Sequence, residues 1–221
     1  MCGRFTLRTP AERVKREFQL EEMPPLEARY NIAPTQSILV VRQEADEREA
    51  MMLKWGLIPS WAKDASIGAK LINARSETVD EKPSFREAFK RRRCVIPADG
   101  FYEWQRTGGR KQPFYFQLKD ERLFGFAGLW EKWRTPEGES LETCSILTTE
   151  ANAVLEPVHD RMPVILDQEA YSLWLDDDVR KQDLRKELLR PFPASEMMAY
   201  PVSPSINSPR HQGKELVLPA E

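Results

Sequence analysis

The sequence predicts an α+β protein: a curved antiparallel sheet or partial barrel with peripheral helices. Three observations carry this. Between Cys94 and Thr149, short strand-like runs follow one another at close spacing. Gly108-Gly109 and Glu137-Gly138 separate some of them as turns. The helix signals are short and lie outside this stretch. A chain of 221 residues is long enough to bury a substantial core, and a single domain over 1–221 is expected.

In chain order, Thr9-Pro10-Ala11-Glu12 reads as a capping box with proline at the first helical position, and Val14 and Phe18 give that helix one apolar face. Pro24-Pro25 ends the region. Ser37 to Val41 and Met51 to Trp55 read as strands joined by the charged loop Glu44 to Glu49. Ser84-Phe85-Arg86-Glu87 is a second capping box, opening a short helix to about Arg91. Strands are expected over Cys94 to Pro97, Phe101 to Gln105, Pro113 to Leu118, Leu123 to Trp130 and Glu142 to Thr148. Helices follow at Ala151 to Leu155, Asp167 to Leu175 and Val179 to Leu189, the last with Leu184, Leu188 and Leu189 as its apolar face. The tail from Tyr200 to Leu218 is expected to pack back as short strands.

Composition narrows the function. A hydrophobic fraction of 41% with six Trp and ten Phe suits a folded soluble protein. No apolar run approaches about 18 residues, and no basic segment precedes a hydrophobic one, so neither a membrane span nor a secretory signal is expected. Three scattered cysteines without a CxxC pair make neither a disulfide framework nor a zinc site; no metal or cofactor is expected, and the location reads as cytoplasmic and reducing. Cys94 and Cys144 sit in apolar strand-like runs and read as buried and inert. A net charge of −2 argues against bulk electrostatic capture of nucleic acid but leaves room for a local basic groove. The basic runs Lys90 to Arg93 and Arg106 to Lys111 are candidates for such a groove and read either as solvated faces or loops or as nucleic-acid contacts.

Cys2 is the most informative position. Cysteine is small enough for ordinary methionine removal, after which an α-amine and a thiol lie on neighbouring carbons. That pair condenses with an aldehyde to an imine and closes on it as a thiazolidine. The amine, with a pKa near ~7.7–8.0, is partly nucleophilic at neutral pH. Glu103, between Tyr102 and Trp104, either faces solvent by strand alternation or faces a cleft, where desolvation would raise its pKa and suit it to proton transfer. His159, one of two histidines, lies between Pro157 and Pro163 with Asp160 and Arg161 beside it, a set that reads either as structural or as a general acid/base. Asn73 follows Leu71 and Ile72 and is either a turn residue or an orienting group.

Taken together, these segments resemble the SOS response-associated peptidase (SRAP) family. The resemblance rests on Met1-Cys2-Gly3-Arg4-Phe5, Tyr30-Asn31-Ile32-Ala33-Pro34, Trp55-Gly56-Leu57-Ile58-Pro59-Ser60-Trp61, Asn73-Ala74-Arg75-Ser76-Glu77, Ala98-Asp99-Gly100-Phe101-Tyr102-Glu103-Trp104, Phe126-Ala127-Gly128-Leu129-Trp130 and His159-Asp160-Arg161-Met162-Pro163, in that order. It implies a covalent adduct between Cys2 and ring-opened abasic sites in single-stranded DNA, shielding them during the damage response. Asn73, Glu103 and His159 are implied as supporting residues. Glu103 takes the proton from the amine, His159 protonates the sugar oxygen, and Asn73 orients the N-terminus. The resemblance also implies that Arg4, Arg75 and Arg161 pair with flanking phosphates, that Trp61 stacks on a base, and that Pro34 shapes the neighbouring wall. Methionine aminopeptidase, or self-processing, would remove Met1; the protein is expected to be a monomer that joins the nucleoid when bound to damaged DNA. The alternatives are a thiol peptidase or amidohydrolase using Cys2, with the autopeptidase activity the family name carries, and a non-covalent reader of damaged or modified DNA.

Overall fold

The computed structural model describes residues 2–135, 137–178 and 181–220, without the side chains of Thr107 and Arg110. Its strands are β1 (Arg4–Leu7), β2 (Arg29–Ile32), β3 (Ser37–Glu44), β4 (Glu47–Trp55), β5 (Asn73–Arg75), β6 (Arg93–Ala98), β7 (Gly100–Thr107), β8 (Arg110–Leu118), β9 (Phe124–Arg134), β10 (Ser140–Glu150), β11 (Arg161–Pro163), β12 (Ile165–Leu166) and β13 (Met197–Pro201). One sheet runs β13-β8-β7-β1-β2. The other runs β11-β10-β4-β3-β6-β9-β12, and an additional β9–β10 pairing closes β10, β4, β3, β6 and β9 into a ring. The expected partial barrel is therefore closed on one side of the molecule. Most pairs are antiparallel, but β4 and β5 both run parallel to β10.

Period-two alternation explains why these segments are strands, and the differences from expectation have local causes. β3 and β4 continue through the charged stretch as a long hairpin whose turn is Ala45-Asp46, with Ala45 at φ 50°. Charged residues at the far end of a hairpin stay solvated, so they need not form a loop. The first helix, α1 (Ala11–Phe18), buries Val14 and Phe18 as expected but has no side-chain cap. Thr9 is taken elsewhere: its N–H and hydroxyl both donate to Asp99 Oδ2, each at 2.8 Å. The second capping box is also absent, since α2 (Arg86–Arg91) starts after Phe85 without a side-chain cap.

Ala151 to Leu155 is a run of turns rather than a helix, because Asn152 Oδ1 accepts from the N–H groups of Val154 and Leu155 and closes the chain locally. α3 (Gln168–Leu175) matches its expected span, while the last helix shrinks to α4 (Gln182–Glu187). Val179 and Arg180 lie outside the described residues. The expected apolar face is only partly buried: Leu189 is in the core and Leu188 packs against it, but Leu184 is exposed, while Arg185 is buried and donates to the carbonyls of Asp176 and Asp178. The basic run Lys90 to Arg93 is likewise only partly solvated. Arg93 is buried and donates to the Phe89, Trp174 and Asp176 carbonyls, and burial lowers its pKa to about 10. Beyond β13, the tail forms short 3₁₀ turns and one bridge, Val202 to Pro219, instead of the expected run of strands. No helix among the described residues is long and apolar enough to cross a membrane.

The N-terminal strand runs through the interior. Phe5 packs edge-on against Trp55 and Phe126, at ring centroid distances of 5.3 and 5.7 Å, so β1 joins the open sheet to the ring. Asp99 fixes it from the other side. Its buried carboxylate accepts from the Thr6 hydroxyl at 2.6 Å, from the Arg8 N–H at 2.7 Å, and from Thr9, with Arg8 Nε at 3.7 Å. Gly100 follows because a Cβ there would lie 2.0 Å from the Tyr115 hydroxyl, which itself bonds Thr6 at 2.9 Å. Replacing Asp99 with alanine orphans these donors and is expected to cost about 3 kcal/mol or more in chemical denaturation. A loss below about 1 kcal/mol would show that β1 is held by packing alone.

Candidate active site

Cys2 lies two residues before Arg4, the start of β1, whose ladder with β7 sets Arg4 opposite Tyr102, Phe5 opposite Phe101 and Thr6 opposite Gly100. That register brings Cys2 to Glu103. Cys2 is fully buried, with its thiol 4.0 Å from the Arg4 carbonyl. Burial pushes the thiol far above its ordinary range, and the neighbouring Glu103 charge adds to the rise. The group at rest is therefore a thiol rather than a thiolate.

Glu103 is 3% exposed, so it lies in the cleft rather than in solvent. The cause is that both faces of β7 are covered. Tyr102 packs with Tyr115, Val202, Ile206 and Leu216, with Trp104 against that cluster, which places the C-terminal segment over the outer face. Phe101 and Glu103 take the inner face. Burial pushes the Glu103 carboxyl up to about 7, which makes it a base that titrates at working pH.

His159 comes from the segment between β10 and β11. Gln105, two residues beyond Glu103, donates to the Pro157 carbonyl at 3.0 Å and ties that segment to β7. His159 Nδ1 lies 3.0 Å from the Arg161 N–H and 2.9 Å from Asp160 Oδ1. It can accept from the first only unprotonated and donate to the second only protonated. The highly exposed Asp160 is a weak partner, and burial lowers the His159 pKa, so the neutral ring with Nδ1 accepting is the resting form. That tautomer carries its proton on Nε2 and is a hydrogen-bond donor there. Glu103 and His159 line one cavity of about 320 Å³ together with Trp104, Arg106, Lys111 and Asn207.

The remaining expected residues are dispersed around this centre. Asn73 opens β5, which lies along one edge of β10, while β11 with Arg161 lies along the other; Thr148 pairs with both Arg75 and Pro163. Asn73 Nδ2 reaches the Ile146 carbonyl at 3.5 Å, and its Oδ1 is buried with no hydrogen-bond partner among the described residues. An acceptor in that state is suited to a donor supplied by a ligand. Arg75 is exposed. Arg161 forms a bidentate pair with Glu77 at 2.7 and 2.9 Å and also donates to the Thr148 carbonyl. Arg4 donates to Asn31 Oδ1 and to the carbonyls of Ile206 and Asn207. Trp61 is 57% exposed, its indole N–H 3.3 Å from the Pro83 carbonyl, and Pro34 is half-buried.

The tail's part in the site was not visible in the sequence. Asn31 Nδ2 donates to the carbonyls of Ile206, Ser208 and His211, and Trp104 Nε1 donates to Asn207 Oδ1 at 2.7 Å. Arg4 and Asn31 thereby clamp the segment that supplies Asn207 to the cavity. The position of Asn31 directly after Tyr30, in a segment set apart by the resemblance, is the only signal that could have found it.

The fold and site define a class: a two-sheet protein whose second residue, Cys2, is buried against a carboxylate of raised pKa. A profile of the SOS response associated peptidase (SRAP) family matches residues 1–209, and the chain belongs to that family. It is 47% identical over 221 residues to the Abasic site processing protein YoqW of Bacillus subtilis, covering 98% of this chain and 99% of the relative. It is 33% identical to the Abasic site processing protein HMCES of Mus musculus, covering 100% of this chain and 76% of that one. A crystal structure of a protein from Bacteroides thetaiotaomicron superimposes with a TM-score of 0.89 at 29% identity, covering 100% of both chains.

Proposed function

We propose that this protein processes abasic sites in single-stranded DNA by joining them covalently to Cys2. The observation that carries the reading is the burial of Cys2 against Glu103, whose carboxyl is poised near neutrality. The family and the names of its relatives supply the substrate class.

The chemistry balances without a cofactor. Removal of Met1 frees the Cys2 amine, which adds to the C1′ aldehyde of the ring-opened sugar; loss of water gives the imine. The Cys2 sulfur then bonds to the same carbon, its proton leaves, and the imine nitrogen becomes the ring amine of a thiazolidine. A thiol held protonated by burial needs a base at that step, and Glu103 is the adjacent one. His159, donating from Nε2, stabilises the sugar oxygen as the ring opens. Asn73 Oδ1 accepts from the amine or a sugar hydroxyl, which satisfies its orphan acceptor. Exposed Trp61 offers a stacking face beside the entering strand.

A peptidase using the same residue is the weaker reading. A thiol protease stabilises its thiolate with an adjacent imidazolium, whereas this thiol is buried beside a carboxylate. Protein with Met1 verified absent by intact mass, mixed with a single-stranded oligonucleotide bearing one abasic site, is expected to give a heat-stable shifted band on a denaturing gel. Protein retaining Met1 should give none. No band from the processed protein would overturn the covalent reading.

A further inference from the structure

We infer that the β7–β8 hairpin is a phosphate-binding arm of the site: Arg106 and Lys111 hold a backbone phosphate of the strand next to the sugar that reacts at Cys2. The inference rests on the abasic-site reading and adds a subsite to it. The sequence leaves this basic run as either a solvated loop or a nucleic-acid contact, and its position favours the second.

Arg106 and Lys111 are directly opposite each other in the β7–β8 ladder, one residue pair from the Gly108-Gly109 turn. Like charges across a ladder repel, and a sheet gains nothing from pairing them. No described carboxylate forms an ion pair with either, and both are exposed. Both nevertheless line the cavity that Glu103 and His159 also line. A second cavity of about 460 Å³ adjoins it, sharing Trp104, Arg106 and His159. Arg106 is close enough for its charge to add to the downward push that burial exerts on His159.

Two of the other cations expected at the site are committed, and the third, Arg75, is exposed on β5 and does not line this cavity. Arg4 is bound to Asn31 and the tail carbonyls, and Arg161 to Glu77 and Thr148. Among the described residues, Arg106 and Lys111 are thus a positive pair without an ion-pair partner that lines one cavity with Glu103 and His159. Trp104, fixed by Asn207, lines the same cavity as an aromatic wall. A single phosphate bridging two cations over an aromatic wall is what a nucleic-acid backbone entering this cavity would present. The net charge of −2 does not oppose it, since binding follows the local field.

The test compares Met1-free wild type with the double variant Arg106→Gln/Lys111→Gln, whose exposed positions leave the core untouched. Anisotropy with a labelled, undamaged single-stranded oligonucleotide is measured across salt concentrations, and crosslinking is measured against concentration of the abasic oligonucleotide. Affinity should fall about tenfold, and the slope of log K against log salt should shrink by about 0.7, the change for one neutralised phosphate on a single strand. The DNA concentration giving half-maximal crosslinking should rise by a similar factor. An unchanged salt slope, with half-maximal concentration within about twofold of wild type, would overturn the phosphate arm. If wild type binds but never crosslinks, while the variant loses binding and salt slope, the arm stands and the abasic-site reading fails.

Discussion

Cys2→Ala is expected to abolish the heat-stable crosslink while leaving imine chemistry in place. Alanine at position 2 still permits removal of Met1, so the variant keeps an N-terminal amine that can condense with the C1′ aldehyde. What it loses is the sulfur that closes the ring. The imine then has two exits: hydrolysis, or β-elimination through the acidified C2′ protons, which breaks the strand. Without reductant, the stable adduct should drop by at least about a hundredfold, the scale of losing a nucleophilic step. With borohydride, which reduces the imine to a stable amine, a covalent band should return. Strand cleavage should persist and become more prominent, because no thiol diverts the intermediate. Undiminished heat-stable adduct without reductant would show that the bond to DNA is made elsewhere in the chain.

Glu103→Gln should change both rate and stability, in opposite directions. The amide matches the carboxyl in shape but cannot take a proton, so crosslinking at saturating DNA should fall on the order of a hundredfold. The wild-type rate should rise with pH through about 7 as Glu103 ionises, and the variant should lack that inflection. For stability, the folded-state pKa of about 7 lies above the ordinary 4.5. The protonated carboxyl is therefore the form the fold prefers. The contribution is fully present below 4.5 and is lost as pH rises through about 7, because a buried carboxylate must then ionise. The gap corresponds to about 3 kcal/mol at about 1.36 kcal/mol per pH unit, an order-of-magnitude figure. Denaturation at pH above 7 should find the variant more stable than wild type, with the difference vanishing below 4.5. A variant less stable than wild type at alkaline pH would mean that Glu103 is held ionised by partners that outweigh its burial.

Much of this was legible in the chain because it depends on local pattern. Period-two runs marked the strands from Cys94 to Glu150, and Gly108-Gly109 marked a hairpin whose two glycines both have positive φ. Val14 and Phe18, four apart, marked the buried face of α1. Cys2 stood out by chemistry alone, since only a cysteine that becomes N-terminal unites amine and thiol.

Tertiary structure decided the rest, wherever two distant segments compete for one group. Thr9 reads as a helix cap, but the Asp99 carboxylate offers its N–H and hydroxyl a buried, charged acceptor. Leu184 reads as core, but the fold places Arg185 there to satisfy carbonyls at the end of α3. Alternation gave Glu103 two possible faces and could not choose between them. The choice came from the C-terminal tail, which covers the Tyr102 and Trp104 face some hundred residues later in the chain. The family resemblance implies phosphate contacts for Arg4 and Arg161, and the fold pairs them with Asn31 and the tail and with Glu77. The sequence by itself determined the strand-rich class and the reactive Cys2, because propensity and covalent chemistry are properties of neighbours in the chain. Which carboxylate meets that thiol, and which cations remain for a ligand, was decided only by burial and pairing across the closed fold.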